Sequence, residues 1–177
     1  ELKAAQSLGP RHRSQLLQYL FLFGFRHGKL VNLATPSVQY EYVTTTVGPD
    51  ARREFSVDTT GWRVFDKADR MVIEILQELL SDWGSFLEAN LYRDALVCLM
   101  ADRICMKDLS VVHGSRTLGS IVMPCFPSNT ALAVSAIHKA PDFHRKHLRR
   151  LLGVTDLAAI QWINIQRHLV SCRTVAR

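Results

Sequence analysis

ELKAAQSLGPRHRSQLLQYLFLFGFRHGKLVNL, residues 1–33, decides how the first part of the chain folds. Glu1-Leu2-Lys3 reads as a short strand, and because side chains alternate across a strand, Glu1 and Lys3 point to the same face. Leu8-Gly9-Pro10 marks a turn. Over residues 11–23 the apolar side chains Leu16, Leu17, Leu20, Phe21 and Phe23 recur at helical spacing, and Gly24 supplies a stop. On that helix Gln15 and Tyr19 lie four residues apart, one above the other. Residues 29–33 then read as a buried strand and residues 38–45 as a half-exposed one. An acid and a base on an opening strand are thus followed by a helix with a glutamine and a tyrosine on one face.

This run resembles the end of a GxxExxY-family domain of the PD-(D/E)XK nuclease superfamily. The family's pattern is a strand with E-L-K-A, a Pro-His turn, a Q-L-L-x-Y-L helix and a strand with G-x-L-x-N. Pro10, His12, Gln15, Tyr19, Gly28, Leu30 and Asn32 fill those places. The resemblance implies an α/β fold of restriction-endonuclease type, a mixed sheet flanked by helices. It also implies a hydrolase that acts on nucleic acid with Mg²⁺. In that reading Glu1 is a metal ligand, Lys3 orients or activates the attacking water, and Gln15 with Tyr19 supports both from the helix. The family's metal-binding Asp and helical Glu would stand upstream of Glu1. A chain that opens in mid-strand without methionine reads as lacking its natural beginning. One carboxylate beside a lysine holds Mg²⁺ poorly, because the ion takes several hard oxygen ligands. The chain as given is therefore expected not to cleave.

Farther along, Gly48-Pro49-Asp50 begins a loop. Helical spacing returns from residue 67 to about residue 101, broken near Trp83-Gly84 into helices over 67–82 and 86–100. Residues 109–113, 116–124 and 130–137 form a meander, with turns at His113-Gly114-Ser115 and Pro127-Ser128-Asn129. A basic helix runs from Pro141 to Leu152 with Asp142 as its cap, and residues 160–165 and 169–175 close the chain as strands.

Sliding the chain by 132 positions sets His12-Arg13 on His144-Arg145, Leu16 on Leu148, Leu20 on Leu152 and Val31-Asn32-Leu33 on Ile163-Asn164-Ile165, without a gap. The spacing predicts a duplication: a partial copy in residues 1–60 and a degenerate complete copy in residues 61–177. Within the second, Gly84, Glu88, Tyr92, Asp94, Ala95 and Leu96 resemble the helix that names the family, with each gap one residue longer. Residues 109–141 contain no Asp or Glu, so no carboxylate metal site can be built in that meander.

A chain of 177 residues that is 47% hydrophobic can bury the cores of one or two small domains. Its net charge of +6 favours a polyanionic partner. The apolar stretches are too short or interrupted to span a bilayer and no signal peptide opens the chain, which makes the cytoplasm the default location. Cys98, Cys105, Cys125 and Cys172 form no C-x-x-C pair; they read as reduced, mostly packed thiols rather than a zinc or redox site. His144 and His147, close to Asp142, could suggest a metal. With Arg145, Lys146, Arg149 and Arg150 around them, a basic helical face is the better reading, and it either contacts phosphates or is solvated. Glu88, Tyr92 and Asp94 read as surface and packing residues, and Trp62, Trp83 and Trp162 as core.

Three functions stay open at this point. The first is a metal-dependent nuclease-like protein whose site residues are Glu1, Lys3, Gln15 and Tyr19. The second is a nucleic-acid-binding or scaffolding protein that kept the fold and lost the chemistry, gripping phosphates through Arg145, Lys146, Arg149 and Arg150. The third, with no nucleic acid involved, is a basic dimeric domain, a homo-oligomer whose paired copies bury each other.

Overall fold

The apolar stripe over residues 11–23 needs a flat apolar partner, and in the computed structural model, which describes residues 1–177, the next two strands provide it. The first unit, Glu1–Glu54, contains β1 (Leu2–Lys3), α1 (Pro10–Phe23), β2 (His27–Asn32), β3 (Gln39–Thr44) and a short α2 (Pro49–Arg53). Its sheet runs β1-β2-β3. Strand β1 is parallel to β2, with Leu2 beside Val31 and Lys3 beside Asn32, and β2 is antiparallel to β3. Leu16 and Leu20 of α1 pack with Leu30 and Val43 of the sheet. Gly28 permits that approach: a Cβ there would stand 3.0 Å from Leu16 Cδ1. Pro10 opens α1 where no backbone donor is needed, and Gly24 ends it in the left-handed conformation at φ +71°.

The second unit, Phe55–Arg177, contains β4 (Ser56–Gly61), α3 (Lys67–Trp83), α4 (Ala89–Leu99), β5 (Cys105–His113), β6 (Arg116–Cys125), β7 (Thr130–Ser135), α5 (Pro141–Val154), β8 (Ala159–Gln166) and β9 (Leu169–Ala176). The six strands are ordered β4-β9-β8-β7-β6-β5. Strands β4 with β9 and β7 with β8 are parallel, and the other neighbours are antiparallel. On one face Leu148 and Leu152 of α5 join Ile160, Trp162 and Val175 in a single apolar cluster. On the other, Gln161 donates to Asp69 in the first turn of α3 at 2.7 Å. Every residue of β8 from Ala159 to Ile165 is buried, so this strand is covered on both faces. The molecule is thus an α/β protein with two mixed sheets flanked by helices, consistent with a restriction-endonuclease-like fold. No helix is long and apolar enough to cross a membrane.

The two sheets share a register. In the second, Val134 stands beside Ile163 and Ser135 beside Asn164, while Ile163 faces Cys172 and Asn164 faces Ser171. Each pair is a pair of the first sheet carried 132 residues on: Leu2 with Val31 and Lys3 with Asn32, then Val31 with Tyr40 and Asn32 with Gln39.

Several local expectations need correction. Gly48-Pro49-Asp50 opens the helical turn α2 instead of a loop, because Pro49 sits at a first helical position. Asp142 does not cap α5; Ala140, held at φ +52°, precedes Pro141 and takes the cap position. Helix α4 begins at Ala89 rather than at residue 86. Strand β4 carries no apolar alternation and forms by pairing with β9. Of the four cysteines, Cys125 and Cys172 are buried but Cys98 and Cys105 are exposed; all four are free thiols.

Candidate active site

The pairing of Lys3 with Asn32 puts Lys3, and with it Glu1, on the α1 side of the first sheet. Asn32 is fully buried and fixes the segment that follows β1: its Nδ2 donates to the Ala5 carbonyl at 2.7 Å, and its Oδ1 accepts from the Ala5 N–H at 3.1 Å. His12 completes the start of α1 by accepting the Gly9 N–H on Nδ1 at 3.1 Å. Arg13 reaches from α1 to Glu41 of β3 at 2.6 Å.

With strand and helix so fixed, the four residues singled out from the sequence meet. Lys3 Nζ lies 2.7 Å from Glu1 Oε1 and donates to Gln15 Oε1 at 2.5 Å. Gln15 Nε2 in turn donates to the Tyr19 hydroxyl at 3.1 Å. The chain of contacts runs Glu1, Lys3, Gln15, Tyr19, from a mostly buried acid (side chain 11% exposed) to a tyrosine that is open to solvent. The second carboxylate oxygen, Glu1 Oε2, is buried and has no hydrogen-bond partner. A buried carboxylate oxygen without a donor is costly to leave so. It is suited to a cation or to a donor that arrives with a ligand.

The same places in the second sheet are filled differently. Ala133 stands where Glu1 does, Ser135 where Lys3 does, His147 where Gln15 does and Leu151 where Tyr19 does. Ser135 Oγ donates to Asn164 Oδ1 at 2.8 Å and accepts the Trp162 indole N–H at 2.8 Å, so its hydroxyl is committed on both sides. Asn164 repeats the role of Asn32, holding the Ile137 N–H at 2.8 Å and the Ile137 carbonyl at 3.1 Å. Trp162 occupies the position of Leu30, buried beside the His144 ring at a centroid distance of 5.3 Å. Burial and the neighbouring His147 push the His144 pKa below its ordinary value. Nothing acidic is present and the space is closed by an indole, so this second place cannot hold a cation.

Arg145 occupies the position of Arg13, but the place of its acidic partner Glu41 is taken by Arg173, which turns to Asp58 of β4. That guanidinium, with Thr60, holds the Asp58 carboxyl well below the usual carboxylate range. Arg145 is left half-buried with its Nε enclosed and unpartnered. Lys146, Arg149 and Arg150 are exposed on α5. His147 is an exposed residue whose Nδ1 lies 2.9 Å from the Phe143 carbonyl. Tyr92 is fully buried, and its hydroxyl donates to the Gly84 carbonyl, which makes it a packing residue. No group of three or more His, Cys, Asp or Glu side chains lies close enough to hold a metal ion.

A family model described as the PD-(D/E)XK nuclease superfamily matches residues 1–44. The match takes in β1, α1, β2 and β3, stops at the last residue of β3 and covers about a quarter of the 177 residues. No curated protein and no solved structure matches the chain. Similarity to this superfamily supports a nuclease-like function and a nucleic-acid substrate in general terms, and its nucleases generally use divalent metal ions. Tested against that metal, the residues here fit in part: Glu1 Oε2 is a free oxygen donor beside a lysine, but no second carboxylate joins it.

Trp162, read from the sequence as core, is buried as expected; the part that Asn32 plays was not read from the sequence. An asparagine inside a buried strand is a usable signal, since it must find partners for its amide. That the indole of Trp162 reaches Ser135, the residue matching Lys3, is visible only once the register is known.

Proposed function

We propose that this is a nuclease-like protein directed at nucleic acid, with a metal-dependent half-site at Glu1, Lys3, Gln15 and Tyr19 and with a degenerate second copy of the same arrangement in the Phe55–Arg177 unit. The observation that carries this reading is the buried, unpartnered Glu1 Oε2 at the head of the Lys3–Gln15–Tyr19 chain. The GxxExxY pattern of the first 33 residues supports it, as does the register that both sheets share. Glu1 would be one ligand of Mg²⁺, which when bound polarises a phosphoryl oxygen. Lys3, tethered by Gln15, would present its ammonium to a phosphate oxygen or to the attacking water. Gln15 is in turn oriented by Tyr19. A lone carboxylate does not complete a Mg²⁺ site, so residues 1–177 alone bind without cleaving.

A second reading is favoured by one observation, the Trp162 indole that closes the equivalent place in the second sheet. It is a non-catalytic nucleic-acid-binding or scaffolding protein. In both readings the exposed Lys146, Arg149 and Arg150, with Arg145 beside them, are the phosphate contacts.

The test is fluorescence anisotropy with a labelled duplex, together with a nicking assay on supercoiled DNA in Mg²⁺. Binding should weaken steeply with salt and should weaken again in a Lys146→Ala, Arg149→Ala, Arg150→Ala triple variant, because counterion release scales with the phosphates neutralised. The chain alone should not nick. Nicking that persists undiminished in Lys3→Ala would refute the assigned site, and binding indifferent to salt and to the triple variant would remove nucleic acid as the partner.

A further inference from the structure

Strands β5 and β6 form a hairpin whose register sets Cys105 directly opposite Cys125. Residues so opposed in an antiparallel pair point to the same face, with Cα atoms about 4.5–5.5 Å apart, inside the ~4.4–6.8 Å window of a disulfide. The spacing of the two cysteines along the chain shows nothing of this; the pairing does. Cys125 also pairs with Ala131 of β7, so the two thiols stand at the foot of the hairpin, where it joins the rest of the six-stranded sheet. Beyond them, residues 116–122 of β6 are all exposed.

The two thiols differ in what reaches them. Cys105 is exposed, whereas Cys125 is fully buried, in the cluster that holds Leu109, Met123 and Ala131. Burial pushes the Cys125 pKa above its ordinary value, and the neighbouring Cys105 adds to this. A reagent from solvent therefore meets Cys105 first, and the thiol behind it is placed to resolve the adduct. Cys98, the other exposed thiol, lines a cleft with Met106, Val122 and Pro124. Those three residues belong to the face of the hairpin opposite Cys105.

We propose that Cys105 and Cys125 are a reversible thiol–disulfide modification site, oxidised by a low-molecular-weight disulfide. The Cys105 thiolate attacks one sulfur of that reagent, the S–S bond breaks, and a thiolate leaves with the electron pair. Cys125 then gives up its proton and attacks Cys105 Sγ, which expels the second thiolate. Two protein thiols are oxidised and one reagent disulfide is reduced to two thiols, the protons passing to the released thiolates. Opposed Cβ atoms in such a pair stand about 4.5–5.5 Å apart, wider than the ~3.8 Å of a relaxed disulfide. Closure must draw the strands together, which makes the bond a labile one that ties β5 to β6 at the foot of the hairpin. The inference is independent of the nuclease reading, since it uses no residue of the Glu1–Glu54 unit.

The probe is oxidised glutathione, added to the full 177-residue chain without denaturant and followed by intact mass. The expected product is lighter than the starting protein by two hydrogens, and trypsin should release residues 104–107 joined to residues 117–139. Excess reduced glutathione should restore both thiols. Cys125→Ser should stop instead at a mixed disulfide on Cys105, heavier by one glutathionyl group. Cys125→Ala makes the same test if circular dichroism shows that the serine disturbs the fold. Cys105→Ser should leave Cys125 unmodified. The proposal is overturned if the unaltered chain stops at the mixed disulfide or stays unmodified, if Cys105 joins Cys98 or a second chain, or if the bond forms only in urea.

Discussion

Strand β2 is buried only at alternate places, whereas β8, which stands at the same position in the other sheet, is buried at seven consecutive residues. Both strands carry an asparagine that grips the backbone after the preceding parallel strand, through Ala5 in one case and Ile137 in the other. The frame is therefore the same and the surroundings differ. Where one face stays open, the sheet retains a charged, partly unsatisfied cluster at Glu1 and Lys3. Where both are covered, the matching place has been packed with Trp162, and its polar groups are satisfied internally. Packing and chemistry compete for the same positions, and each sheet displays one outcome.

The sharpest way to break this comparison is Trp162→Ala. If the second sheet depends on the indole filling the space beside Ser135 and His144, the variant should lose about 3–5 kcal/mol of unfolding free energy in urea, the range for deleting a large buried aromatic. A loss well under 1 kcal/mol would mean the site is not packed as described. Next come the two asparagines. Asn32→Ala and Asn164→Ala each strand partly buried backbone groups and should each cost about 1–3 kcal/mol. Similar values for the two would support equivalent roles, and a large inequality would undo the equivalence.

A third test contrasts positions that match across the sheets but differ in burial. Cys172→Ser puts a hydroxyl in an apolar interior that pushes the native thiol pKa up to about 12, and should cost about 1–3 kcal/mol. Tyr40→Ser, on the open face, should stay within about 0.5 kcal/mol. Equal costs would show that the first sheet's outer face is not open in solution.

The smallest effect is a pH dependence. His144 titrates below its ordinary 6.5 because of burial and the nearby His147, so in acid the unfolded chain binds more protons than the folded one. Stability of the second unit should therefore decline as pH falls from about 6.5 through the lowered folded value. His144→Gln should flatten that slope, and an unchanged profile in the variant would exclude His144 as its source.

Much of this was legible in the sequence for physical reasons. The helix α1 and strands β2 and β3 announce themselves because their apolar residues keep the period of the local backbone, and the shared face of Glu1 with Lys3 and of Gln15 with Tyr19 follows from the same geometry. The register that the two sheets share at an offset of 132 residues was readable because it contains no gap. What was not legible depends on partners far away. Strand β4, SVDTTG, has no apolar alternation and takes its shape from β9, more than a hundred residues later. Ala140 replaces Asp142 as the cap through a backbone conformation that residue type does not encode. The exposure of Cys98 and Cys105 is set by which side of α4 and β5 meets the core, which their spacing alone does not reveal.

The pairing of β4 with β9, with Asp58 bound to Arg173 across 115 residues of chain, also orders events during synthesis on the ribosome. Contacts of this span are slow to form because a long loop must close first. The first sheet has all of its strands once Thr44 has emerged. The second keeps one edge waiting until residues 169–176 leave the exit tunnel, and for that interval Ser56–Gly61 is an unpaired segment that a chaperone or a neighbouring nascent chain can reach.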